Sequence, residues 1–250
     1  MTNKFMYFIA NWKMFGDLKS IKSLNKVIIF SKNNKNKKFK LIYCPPYTLL
    51  HLFSRKLKNT QIELAGQNCH QNENDGPFTG FINSRMLKNI GANYVILGHS
   101  ENRTSGENNL LINKKIKSSL KNNLKVIFCI GETLTEKNKK LTNTILKKQI
   151  LKGLKGVKEL NQIIFAYEPF WSIGTGAIPE KHILEKNIIY IKKILSKKFK
   201  LKKPKILYGG SVNPKNIKIL NKINSINGFL IGGASQNPNK FIDIIKKTFI

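Results

Sequence analysis

Five short stretches carry the side chains best suited to chemistry, and each follows an apolar run. Asn11 and Lys13 follow the first such run. His99, Ser100 and Glu101 follow the fourth, and Glu168 follows the sixth. Gly209-Gly210-Ser211 and Gly232-Gly233 follow the last two. A carboxylate, an imidazole and an ammonium together suit proton abstraction beside a carbonyl: Glu168 as base, His99 as a neutral hydrogen-bonding group, Lys13 as cation. Glycine pairs let backbone N–H groups close on an anion, so the last two stretches read as a phosphate grip. Taken singly, each has a plainer reading as a solvated lysine, a structural histidine, an ion pair or a tight turn. Their shared position at the ends of apolar runs is what points to a site. No metal-ligand spacing and no dinucleotide loop is present, so the expected chemistry needs no cofactor and no metal.

The segment from Tyr167 to Gly176 extends this reading. Proline after Glu168 biases the glutamate to extended backbone, as at a strand end. Pro169, Phe170 and Trp171 form a stiff joint, and Ser172 to Gly176 a small, flexible tip. The pattern is that of a lid that closes over a ligand.

These stretches need elements that bring them together. The apolar runs are Phe5–Ala10, Lys40–Cys44, Ile62–Gly66, Tyr94–Gly98, Lys125–Gly131, Ile163–Tyr167, Lys205–Gly209 and Gly228–Gly232, with Glu63 interrupting the third. Their starts lie 22 to 42 residues apart, the span of a βαβ unit. Continuous apolar runs without alternation suit parallel strands buried on both faces. Between them lie Lys-rich amphipathic segments. Leu184, Ile188, Ile191 and Leu195 make one helical stripe, while Asn213-Pro214 and Pro238 read as helix starts. Eight such units can close into a barrel or form an open doubly wound sheet; with no glycine-rich dinucleotide fingerprint after the first run, the expectation is a single α/β domain spanning 1–250, a (β/α)8 barrel. Its βα loops would gather all five stretches on one rim.

The chain has 250 residues with 41% hydrophobic and 10% aromatic content, enough for a large core, which excludes a disordered chain. Its net charge is +32, and only three of its 45 basic residues are arginines. A basic chain attracts polyanions. Here the lysines are spread along the whole length, Arg is nearly absent, and 30 Asn and 34 Ile accompany them. Coding bias toward AT-rich codons accounts for this better, so no specific nucleic acid is expected. Three scattered cysteines fit a reducing compartment. No run reaches the length of a membrane span, and the first apolar run is too short for a signal peptide. The reading is a cytoplasmic protein with no membrane association.

Six motifs in register resemble the triosephosphate isomerase family over essentially the whole chain. They are Asn11-Trp12-Lys13, Leu97-Gly98-His99-Ser100-Glu101, Cys129-Ile130-Gly131-Glu132, Ala166-Tyr167-Glu168-Pro169-x-Trp171-x-Ile173-Gly174-Thr175-Gly176, Tyr208-Gly209-Gly210-Ser211-Val212 and Gly232-Gly233-Ala234-Ser235. The resemblance implies a TIM barrel and an aldose–ketose isomerase of glycolysis and gluconeogenesis. It would interconvert dihydroxyacetone phosphate and D-glyceraldehyde 3-phosphate through an enediol(ate), without a cofactor. It implies Glu168 as the proton-transferring base, His99 polarising the carbonyl, and Lys13 binding the substrate and stabilising its negative charge, with Asn11 binding the substrate beside it. Glu101 would orient Lys13. Gly174, Ser211, Gly232 and Gly233 would hold the phosphate. Cys129 is taken as structural. The resemblance also implies a homodimer, in which the loop 67–80 inserts into a partner and Thr79 reaches the partner's site.

Asn102 stands where the family usually has Arg, and the stretch 103–106 is one residue short. Pro77, Phe81 and Ala177-Ile178-Pro179 also depart from the pattern. Two other readings compete. One is a different sugar-phosphate isomerase on a phosphate-binding barrel. The other is a basic polyanion-binding protein on the same scaffold.

Overall fold

A computed structural model describes residues 4–249. Eight strands run parallel and close into a barrel in sequence order. They are β1 (Met6–Asn11), β2 (Phe39–Cys44), β3 (Glu63–Gly66), β4 (Tyr94–Leu97), β5 (Lys125–Ile130), β6 (Ile163–Tyr167), β7 (Lys205–Tyr208) and β8 (Gly228–Ile231). β8 pairs back onto β1, with Phe8 opposite Phe229, which leaves no sheet edge exposed. Helices fill the connections, as expected for a (β/α)8 barrel.

The apolar runs lack alternation because both faces of every strand are covered. Along β1, Met6, Phe8 and Ala10 pack with helix residues such as Leu24 and Phe241. Tyr7 and Ile9 belong to a second cluster with Ile42, Ala65, Ile96, Ile127, Ile164, Leu207 and Leu230, one or more residues from each strand. That second cluster fills the barrel interior. Glu63 is no interruption. It starts β3, where its carboxylate takes Lys40 Nζ at 3.0 Å and Asn93 Nδ2 at 2.6 Å, from the starts of the neighbouring strands.

The helix Lys181–Phe199 buries the predicted stripe Leu184, Ile188, Ile191 and Leu195. Pro238 opens the last helix, and Asn237 Oδ1 accepts from the backbone N–H groups of Asn239 and Lys240. Asn213-Pro214 does not open a helix. Asn213 Oδ1 accepts from Lys215 N and Asn216 N, which closes a turn, and the helix begins only at Ile217. The side chain satisfies backbone donors just as an N-cap does, but the chain turns once more before winding up. Gly98, Gly131, Gly209 and Gly232, expected as the last residues of strands, lie just beyond them in the loops. Among the described residues no helix is long and apolar enough to cross a membrane.

Candidate active site

The strand ends meet over one cavity of about 740 Å³ at the C-terminal rim of the barrel. Asn11, Lys13, His99, Glu168, Gly174, Ser211, Gly232 and Gly233 all line it. Glu101 reaches it through Lys13. Thr79 does not line it; Thr79 is exposed in the long loop after β3.

Glu168 leaves the end of β6 and is fully buried. Its backbone N–H is held by Ile130 O of β5, and Gly209 N–H is held by Tyr167 O, so both neighbouring strands grip the strand end. Space for it comes from missing side chains. A Cβ on Gly131 would sit 1.7 Å from Glu168 O, and one on Gly209 would sit 2.7 Å from Glu168 Cγ. The Gln149 amide locks Gly131 through both backbone groups, at 2.9 and 2.8 Å. Glu168 Oε2 accepts Ser100 N–H at 3.3 Å, whereas Oε1 has no hydrogen-bond partner and lies 3.5 Å from His99 Nε2. Burial pushes the Glu168 carboxyl above the ordinary glutamate range, against the pull of His99, the Cys129 thiol, Ser100 N–H and Lys13. A carboxylate in that state is a stronger base than one in water.

His99 caps the short helix Ser100–Thr104. Its Nδ1 accepts Glu101 N–H at 3.3 Å, which leaves the ring proton to Nε2, the atom facing Glu168 and the cavity. The ring therefore presents Nε2 to the site as a donor. Arg103, from the same helix, donates to Gly98 O at 2.7 Å and Cys129 O at 3.2 Å, tying the ends of β4 and β5 together.

Lys13 sits in left-handed backbone, with φ 57°, a region that lysine rarely adopts. Two side chains hold it there. Asn11 Oδ1 accepts Lys13 N–H at 3.1 Å, and Gln67 donates to Lys13 O at 2.9 Å and to Cys44 O at 2.8 Å. The ammonium then pairs with Glu101 Oε1 at 2.5 Å on the cavity wall. Strain of this kind survives only where the surroundings over-determine it.

The stem of the expected lid is the 3-10 turn Phe170–Ser172, and Gly174 to Ala177 beyond it are exposed. Ser172 Oγ binds Ala177 O at 2.7 Å, Tyr208 Oη at 2.8 Å and Ser211 N–H at 3.4 Å, so the lid's two ends and the loop after β7 share one hydroxyl. At the first hinge, Trp171 Nε1 donates to Glu132 Oε1 at 3.2 Å, and Tyr167 Oη donates to the same carboxylate at 3.1 Å.

Sequence reasoning missed several of these groups. Gln67, Ser172, Glu132 and Tyr208 act on site residues far away in the chain, so no local spacing marks them. Cys129, expected as structural, is fully buried at the end of β5, and Glu168 lies in its electrostatic surroundings.

The geometry has counterparts in known proteins. The family model for triosephosphate isomerase matches residues 6–248. A triosephosphate isomerase of Dictyoglomus thermophilum is 41% identical over 244 residues, covering 95% of this chain and 97% of the relative. One from Aquifex aeolicus is 40% identical over 94% of this chain and 96% of that one. The crystal structure of triosephosphate isomerase from Bartonella henselae superposes with a TM-score of 0.89 at 32% identity, covering 98% of this chain and all of that one. The chain belongs to the triosephosphate isomerase family.

Proposed function

We propose that the cavity at the barrel rim interconverts dihydroxyacetone phosphate and D-glyceraldehyde 3-phosphate by proton transfer through an enediol(ate). The observation that carries this reading is the approach of Glu168 Oε1 to His99 Nε2, 3.5 Å, in the cavity that Lys13 and three glycine-bearing loops also line. Glu168, buried and with one unpartnered oxygen, takes the proton from one carbon and returns it to the next. His99 donates through Nε2 to the substrate oxygens. Lys13 stabilises the negative charge, with Asn11 fixing its backbone and Glu101 orienting its ammonium. Backbone N–H groups of Gly174, Ser211, Gly232 and Gly233 hold the phosphate. Closure of the 173–177 tip brings Gly174 to the phosphate and keeps water from the enediolate. None of these steps calls on a cofactor or metal.

The working unit of this reading is one barrel domain, 1–250, in a homodimer in the cytoplasm. Met14, Phe15, Phe78 and Phe81 are exposed on the loops after β1 and β3, Met86 is exposed on the helix that follows the second loop, and Gln67 joins the two loops. Exposed apolar side chains gathered this way suit an interface. Thr79 would then face the site of the second copy.

Turnover of D-glyceraldehyde 3-phosphate by the wild-type chain and by Glu168→Gln tests the proposal. Fast wild-type turnover with a variant slower by about two to four orders of magnitude supports both reaction and base. A folded wild type without turnover sends the search to other sugar phosphates, and near-normal turnover by the variant removes Glu168 as base.

A further inference from the structure

Trp171 at the first lid hinge is held on two sides by the loop after β5. In the ring plane, its N–H donates to Glu132 Oε1 at 3.2 Å. Over the ring face, Lys137 Nζ stands 3.6 Å from the ring centroid. Lys137 belongs to the short helix Leu134–Asn138, whose start is fixed by the reciprocal pair Thr133 and Glu136: Glu136 N–H donates to Thr133 Oγ1 at 3.2 Å and Thr133 N–H to Glu136 Oε2 at 2.8 Å. This perch belongs to the connection after β5 and not to the segment after β6 that carries Trp171. Glu132 is also shared with Tyr167 Oη, which Asn187 holds in turn at 2.8 Å. The hinge indole is therefore contacted by the buried Glu132 carboxylate and by the Lys137 ammonium while Gly174 to Ala177 stand exposed. Any lid swing that tilts the indole loses the ammonium–ring contact, because that attraction depends on the cation lying over the face.

We propose that Lys137 is a positioning residue for the lid: its ammonium over the Trp171 ring biases the hinge toward the conformation seen here and sets the closing equilibrium. This rests on the lid reading of residues 169–177 given above. Lys137 is exposed and does not line the cavity, so it acts only through Trp171.

The test uses the full chain with inorganic phosphate as probe, comparing wild type, Lys137→Met and Lys137→Arg. Three readouts are taken: the phosphate inhibition constant beside kcat and KM, the relaxation of indole emission after a temperature jump in the presence of phosphate, and Tm. Trp12 is fully buried and common to all three chains, so differences in emission report on Trp171. Lys137→Met should lower the phosphate inhibition constant and KM together by about two- to five-fold, the factor that an exposed cation–π contact supplies. It should change the relaxation rate by a similar factor and leave Tm unchanged. Lys137→Arg, which keeps a cation for the ring, should restore wild-type behaviour. An inhibition constant and relaxation rate equal to wild type in Lys137→Met overturn the proposal. So does a rise in that constant, or failure of the arginine to restore it. The emission readout needs no turnover, so a chain inactive on triose phosphates would undo the isomerase reading while leaving this inference measurable.

Discussion

At Glu168, burial serves the proposed proton transfer at the expense of the fold. The folded carboxyl titrates above its ordinary value of 4.5, chiefly because it is buried. The folded chain therefore holds this proton more tightly than the unfolded chain does. The resulting stabilisation is complete below the ordinary value and is lost as pH rises through the folded pKa. Above the ordinary glutamate value the buried, ionisable group is a burden on folding, and Glu168→Gln removes it. Thermal unfolding at pH 7 should put the variant's Tm at or above that of wild type, with the gap closing as pH falls to the ordinary glutamate value. A clearly lower Tm would mean that the carboxylate stabilises the site. The same shift predicts that the acid limb of kcat/KM lies above the ordinary glutamate value, and a pH profile flat down to that value would contradict it. Gln67 gives a second prediction at this scale. Gln67→Met keeps the length but loses both donors, so Lys13 is freed from its left-handed backbone. KM should rise about ten-fold, the effect of a misplaced charged contact, while far-UV circular dichroism stays unchanged. Unaltered kinetics would show that Asn11 alone suffices. Gln67 was not legible as a residue that shapes the site, since it acts on Lys13 only once barrel closure brings the two together. Asn11, Lys13, His99 and Glu168 were legible because each follows an apolar run that ends at the rim.

The strands were legible for a physical reason. Parallel strands covered on both faces must be continuously apolar, and eight such runs closing in order leave little choice of fold. Their ends were less legible by a residue or so, because a glycine after a strand continues the run without continuing the ladder. Asn213-Pro214 was misread because a side chain that satisfies backbone donors serves a turn as well as a helix. The loop glycines also divide in a way the sequence does not show. Gly131 lies where β5 presses on the backbone of β6, and an added methyl would overlap Glu168 O at 1.7 Å. Gly233 faces open space, with nothing within 4 Å of an added Cβ. Gly131→Ala should therefore lose about 3 kcal/mol or more in denaturant unfolding, at the upper end of overpacking costs, and lose activity with it. Gly233→Ala should keep stability within about 0.5 kcal/mol, as surface changes do, but raise KM if its N–H meets the phosphate at close range. Equal stability losses in the two variants would refute this division.

For the whole molecule the governing quantity is the net charge of +32. It acts on the protein in two opposed ways. The positive field draws in an anionic substrate, so capture is fastest when salt is low. The same field drives two identical protomers apart, so the proposed dimer is weakest when salt is low. Screening sets the crossover: the Debye length falls from about 30 Å at 0.01 M to about 8 Å at 0.15 M ionic strength. At 0.01 M the charges of one protomer are felt across the other, while at 0.15 M only those near the interface count. Sedimentation at fixed low protein concentration should then show the dimer fraction rising with salt. Protein concentration separates the two effects in kinetics. Well above the dimer dissociation constant, kcat/KM should only fall as salt rises, since capture alone responds. Well below it, kcat/KM should pass through a maximum, rising as dimers form and falling as steering is screened. A monotonic fall at both concentrations would mean that one protomer is active by itself, and that Thr79 of a second copy is not needed at the site. Duplex DNA gives the matching control. Binding carried by dispersed lysines should vanish by about 0.15 M salt, and tight binding that persisted there would revive the polyanion reading that the scattered charge argues against.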